Sequence, residues 1–98
     1  MDIIKDKVQG DLTLTTDTKL SGMVTGNLTA SQGTLILTGM VGRDLYVESG
    51  TTVELRGTVS GNVINRGGKL HIYGIVNGHV SELAGDTKVE PTAKIGDR

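Results

Sequence analysis

The stretch "GTVSGNVINRGGKLHIYGIVNGHV", residues 57–80, nearly repeats itself: "GTVSGNV" from Gly57 returns as "GIVNGHV" from Gly74. Working outward, "GMVGRDL" begins at Gly39 and "GMVTGNL" at Gly22, so the four starts lie 17, 18 and 17 residues apart. A weaker copy, "DKVQGDL", begins at Asp6, 16 residues before Gly22. One further step of 17 from Gly74 lands on Pro91, where the pattern is expected to dissolve into "PTAKIGDR". A phrase held in register at this period marks a solenoid, in which each repeat buries its apolar face only by stacking on its neighbours.

Two positions ahead of each phrase's first residue stands an apolar side chain: Ile4, Leu20, Leu37, Leu55, Ile72 and Val89. In three copies another lies two residues earlier, at Leu35, Val53 and Leu70. A spacing of two within each unit is the signature of a strand with one buried face. Helical repeats need about 30 residues or more, so units of 16 to 18 residues fit short strands making one turn of a β-helix. Coils of that kind stack at about 4.8 Å with like positions superposed. The expected fold is all-β: a single domain, 1–98, with coils at roughly 4–19, 20–36, 37–54, 55–71 and 72–88 and a terminal cap at 89–98.

That register predicts two interior ladders, Val24–Val41–Val59–Val76 and Leu28–Leu45–Val63–Val80. The first glycine of the phrase marks a corner where backbone crowds the interior or takes a conformation costly to other residues. The second is replaced by Arg43 in one coil, which suggests a corner open to solvent. The variable stretches "TLTTD", "TASQGT", "YVESGTT", "INRGGK" and "SELAGD" carry glycine and polar residues and read as turns.

Composition agrees with a narrow, regular interior. Glycine supplies 15 of 98 residues, while the only aromatic side chains are Tyr46 and Tyr73, so Val, Leu and Ile must form the core. Net charge is −1 with both signs interspersed, which gives no electrostatic footprint for nucleic acid. The charged start "MDIIKDKVQGD" does not resemble a signal peptide, and a cytoplasmic location is expected. The absence of cysteine excludes disulfides and thiolate metal sites.

The free letters of the phrase face outward. Asn27, Asp44, Asn62 and His79 form a polar row; Ile36, Glu54, His71 and Lys88 form another; Thr38, Arg56, Tyr73 and Glu90 form a third. These read as solvated faces. Met23, Met40, Thr58 and Ile75 gather apolar side chains in one exterior row, and Tyr46 and Ile64 stack in the row of Thr29 and Ser81. Met23, Met40, Ile75, Tyr46 and Ile64 are therefore candidates for lateral contact with another protein. At the N-terminal end, Ile3, Ile4 and Leu20 are the candidate assembly edge, because strand edges of a β-helix lack a partner.

No constellation for catalysis emerges. Spacing of six (Leu35, Val41, Val47, Val53, Val59) invites comparison with hexapeptide acyltransferases, but their small residue after the apolar one occurs only at Gly42. His71 and His79 fall in different rows without a carboxylate at a telling spacing, and both read as surface histidines. No glycine-rich loop opens a helix to cradle phosphate. No enzyme activity, cofactor or metal is expected.

"VTGNL", "VSGNV" and "VNGHV", each preceded by a pair such as "LILTG", "VELRG" or "LHIYG", resemble the bactofilins, bacterial polymer-forming cytoskeletal proteins. The resemblance covers nearly the whole chain. It implies a right-handed, roughly triangular β-helix that polymerises end to end without nucleotide, into filaments that scaffold other proteins at membranes. The family's N-terminal membrane-targeting stretch has no counterpart here, so this chain alone is not expected to associate with membranes. The expected partner is a second copy of the chain, as a dimer or filament. The alternative is a compact binding module, an adaptor or inhibitor, that uses an exterior face.

Overall fold

A computed structural model describes residues 1–97, and in it 14 parallel strands and no helix wind into a β-solenoid of about six turns. Each turn contributes strands to three stacked rows. The first row holds Asp2–Ile4, Thr18–Leu20, Gly33–Leu37, Thr51–Leu55 and the later parts of Val63–Ile72 and Ile75–Val89. The second holds Lys7–Val8, Met23–Val24, Met40–Val41, Thr58–Val59, the start of Ile75–Val89, and Lys94–Asp97. Leu12–Leu14, Leu28–Ala30, Leu45–Val47 and the beginning of Val63–Ile72 make the third, closed by Val80–Glu82.

The register superposes like residues, as the repeat demands. Ile4, Leu20, Leu37, Leu55, Ile72 and Val89 stack in one ladder. Val8, Val24, Val41, Val59 and Val76 stack in a second, and Leu12, Leu28, Leu45, Val63 and Val80 in a third. The interior is built mainly from Leu, Val, Ile and Ala, most of them wholly buried, with Thr18, Thr51 and Asn65 buried beside them and no aromatic ring. β-Branched side chains suit such parallel stacks because their single preferred rotamer repeats from coil to coil.

The first glycine of each phrase is set by space and not by dihedral angle. A Cβ on Gly22, Gly39, Gly57 or Gly74 would overlap the carbonyl oxygen of the same position one coil below, at Asp6, Gly22, Gly39 and Gly57 respectively. None of the four has a positive φ.

Three expectations need correction. First, the solenoid does not dissolve after Val89. Lys94 pairs with Ile75 and Ile95 with Val76, so Ile95 extends the valine ladder into a sixth coil. Pro91 falls where the corner glycines donate N–H groups to the coil below, as Gly74 does to Leu55, and proline has no such group. The chain instead closes a turn from Glu90 to Ala93, whose N–H donates to the Glu90 carbonyl at 2.9 Å, and rejoins the row two residues late.

Second, the variable stretches are only partly turns. They also carry an interior ladder, Leu14–Ala30–Val47–Asn65, of which every member is buried. Glycines with positive φ mark the bends, Gly50 (85°) within a turn and Gly33 (84°) at the start of its strand.

Third, the corner at the second glycine is open to solvent at Arg43, as expected, but not in every coil. Gly26 is buried, and a Cβ on Gly26, Gly61 or Gly78 would overlap a side-chain oxygen of Asp11, Asp44 or Asn62.

Candidate functional site

Those overlaps reveal a ladder that changes the reading of one exterior row. Oδ1 of Asp11 accepts the backbone N–H of Asn27 at 2.8 Å. Asn27 Oδ1 does the same for Asp44 at 3.0 Å, Asp44 for Asn62 at 2.7 Å, and Asn62 for His79 at 2.8 Å. Side chains that looked like a solvated face therefore satisfy backbone donors at a corner where strand pairing lapses. The row holds coils together and leaves little free chemistry.

A second exterior cluster forms where the rows of His71 and Tyr73 meet the last coil. His71 Nε2 lies 2.8 Å from Glu90 Oε1, and Nδ1 lies 3.1 Å from the Tyr73 hydroxyl. The two rings stack with centroids 4.2 Å apart. The Arg56 guanidinium covers the Tyr73 ring at 4.3 Å and pairs with Glu54 at 3.0 Å, while Lys88 stands 3.9 Å from Glu90. The His71 hydrogen bond holds the Glu90 carboxyl below its ordinary range; partial burial opposes this and the Lys88 charge assists it. The reading of His71 as a histidine without a carboxylate partner is thus corrected. The partner is 19 residues away: stacking puts Lys88, 17 residues on, beside His71, and Glu90 lies two residues further along the chain.

An ionised Glu90 only accepts, so His71 Nε2 carries the proton there, and Nδ1 shares the Tyr73 hydroxyl. With both ring nitrogens engaged, the imidazole works as a strut between coils. Beside it a cleft of about 470 Å³ runs over the glycine corner, lined among others by Arg56, Tyr73, Ile75 and Lys94.

The candidate lateral residues fall in two separate rows. Met23, Met40, Thr58 and Ile75 stack on the outer side of the second row, and Lys7 and Lys94 close the line at its two ends. Met40 and Ile75 are exposed, at 37% and 42%. Tyr46 and Ile64 stack on the third row, half-buried, with the Arg66 guanidinium 4.5 Å from the Tyr46 ring centroid. The structure does not join the two groups into one row.

Of the candidate assembly edge, Ile3 points outward and is 60% exposed, in register with Lys19. Ile4 is half-buried at the foot of its ladder, and Leu20 is wholly buried one coil further in, so Leu20 is not at the edge. The open end is built instead by Ile4, Val8 and Leu12, and the opposite end by Val80, Val89, Ala93 and Ile95. These seven are the partly buried apolar residues packed against the core.

Sequence reasoning also missed Asn65, wholly buried where its ladder mates in the preceding coils, Leu14, Ala30 and Val47, are apolar. Its Oδ1 accepts the N–H groups of Gly67 and Gly68, and its Nδ2 donates to the carbonyls of Gly68 and Asp86 and to Thr87 Oγ1. The following "RGG" was the available signal, since a tight bend needs a partner for its inward N–H groups.

Among the described residues no group of three His, Asp or Glu side chains is placed to hold a metal, and no buried side-chain polar atom lacks a hydrogen-bond partner. Compared with known protein families, with curated proteins and with solved structures, the chain matches none.

Proposed function

We propose that this chain is a non-enzymatic structural protein of bactofilin type, which assembles with further copies of itself through the ends of its β-helix and serves as a scaffold in the bacterial cytoplasm. One observation carries the reading: the half-exposed apolar side chains that pack on the core lie in the end coils, at both ends of the solenoid. Ile4 and Val89 are the two ends of one ladder, and Val8 and Ile95 of another. A solenoid that remains single needs polar caps over such ends. Unpaired strand edges and open apolar rows are instead the surface on which another coil can settle. The right-handed, triangular form and the filament both follow from the bactofilin resemblance and belong to this proposal.

Sedimentation velocity and negative-stain microscopy over a concentration series, at low and high salt, test it. Assembly should grow with concentration and persist in salt, since an apolar and hydrogen-bonded junction is weakly screened. Ile4→Lys or Val89→Lys should leave the circular dichroism spectrum intact and abolish assembly. A wild-type chain that stays monomeric at high micromolar concentration in both salts overturns the proposal.

The second reading, a compact module that binds another protein, is favoured by the exposed Met40 and Ile75 in a single row closed by Lys7 and Lys94. Met40→Lys should then abolish capture of that protein without altering the self-association state, the reverse of Ile4→Lys.

A further inference from the structure

The glycine corner carries an inference about the N-terminal end. Gly22, Gly39, Gly57 and Gly74 each lie over a carbonyl oxygen of the coil below, in a place that a Cβ would fill. Asp6 occupies the same corner in the first coil. It stands between Ile4 and Lys7 just as Gly22 stands between Leu20 and Met23, with no added residue. Its bonding is also that of the corner: the N–H of Met23 donates to its carbonyl, as that of Met40 does to Gly22 and that of Thr58 to Gly39. The Cβ of Asp6 is tolerated because no described residue lies beneath it.

The last coil shows what a side chain at this corner requires. Ala93 precedes Lys94 as Gly74 precedes Ile75, and so stands in the same row. The chain reaches it only through the two extra residues of the turn closed by the Ala93 N–H on the Glu90 carbonyl. Asp6 has no such detour, because Ile4 and Lys7 keep the spacing of the tight corner.

We propose that Asp6 is a steric stop, which bars any further coil, from a second copy or from preceding chain, from docking beneath the first coil in the register that the internal coils use. A coil in that register would place a carbonyl oxygen where the Asp6 Cβ projects, and a carboxylate would follow it into a corner with no room for a methyl group. Any partner that meets the first coil does so in another register, turned onto a different row or lifted off at this corner. The stop does not depend on whether copies assemble.

The test adds a coil. Residues 18–34 form one complete period, since Thr18 pairs with Leu35 and Asp2 with Thr18. A duplicate of 18–34 placed directly ahead of Asp2 puts Asp6 over the Gly22 corner of the duplicate. A second chain carries the same insertion together with Asp6→Gly. A third carries the duplicate between Thr34 and Leu35, where the corners are glycine throughout, and establishes that this coil is competent to fold. Limited proteolysis read by mass spectrometry should remove the added coil from the Asp6 chain at least about tenfold faster than from the Asp6→Gly chain, because cleavage follows the population of the undocked state. Equal protection with and without Asp6→Gly overturns the proposal. So does a coil that folds internally yet stays undocked at the N-terminal end even with Asp6→Gly, since something other than Asp6 then bars it.

Discussion

His71 Nε2 and Glu90 Oε1, 2.8 Å apart, join the coil that ends at Ile72 to the coil that follows it. The bond sits just before Pro91, where the chain leaves the ladder for the Glu90–Ala93 turn. Beyond it the last coil pairs with the coil before it through Lys94, Ile95 and Asp97, the Lys94 N–H donating to the Gly74 carbonyl at 3.0 Å. A part-buried side-chain bond therefore stands where the chain leaves the ladder for its last coil.

That placement sets a pH dependence. Glu90 is held below its ordinary carboxylate value of 4.5, chiefly by the His71 hydrogen bond. A depressed folded-state pKa stabilises above the unfolded value and is lost as pH falls through the folded one. Amide-exchange protection at Lys94 and Ile95 should therefore be constant above pH 4.5 and decline below it, before the core amides of Val59 or Val63 respond. Glu90→Gln should flatten the acid decline and lower protection of the last coil at neutral pH.

Val59 is wholly buried between Val41 and Val76, so Val59→Asp places an unpartnered carboxylate in the ladder and should cost roughly 4 kcal/mol in urea denaturation. Asn62, three residues on, behaves differently. Asn62→Asp keeps an oxygen for the His79 N–H and should change stability by less than about 0.5 kcal/mol. Asn62→Ala removes that acceptor and should cost about 1 kcal/mol.

Glycine should be dispensable at some corners and not at others. Gly57→Ala drives a Cβ into the Gly39 carbonyl and forces the backbone of two coils apart, at a cost of about 3 kcal/mol or more. Gly50→Ala meets nothing within 4 Å and bears only the strain of φ 85°, about 1 to 2 kcal/mol. Thermal melts that rank the two in the opposite order would contradict the stacked-carbonyl account.

Asn65→Val restores the apolar character of its ladder above Val47, yet it should destabilise the chain. The N–H groups of Gly67 and Gly68 lose the oxygen they share, and buried donors left without a partner cost roughly 1 to 3 kcal/mol each. A gain in melting temperature would show that ladder hydrophobicity outweighs the bend.

The repeat in the sequence determined the fold class, because identical stacking imposes identical demands on every coil. A period near 17 with apolar spacing of two admits only short parallel strands, and it placed Leu20, Leu37, Leu55 and Ile72 in one ladder and Val24, Val41, Val59 and Val76 in another. The Leu14–Ala30–Val47–Asn65 ladder was hidden, since its members share a position but not a chemistry, and the coil length varies just there. Contacts between coils were hidden for a related reason. The Asp11–Asn27–Asp44–Asn62 row looks solvated in sequence, and only the stack turns each side chain toward the N–H of the coil above. His71 found Glu90, and the corner came to exclude a side chain at Gly22, Gly39, Gly57 and Gly74, through distances across coils that no spacing along the chain encodes.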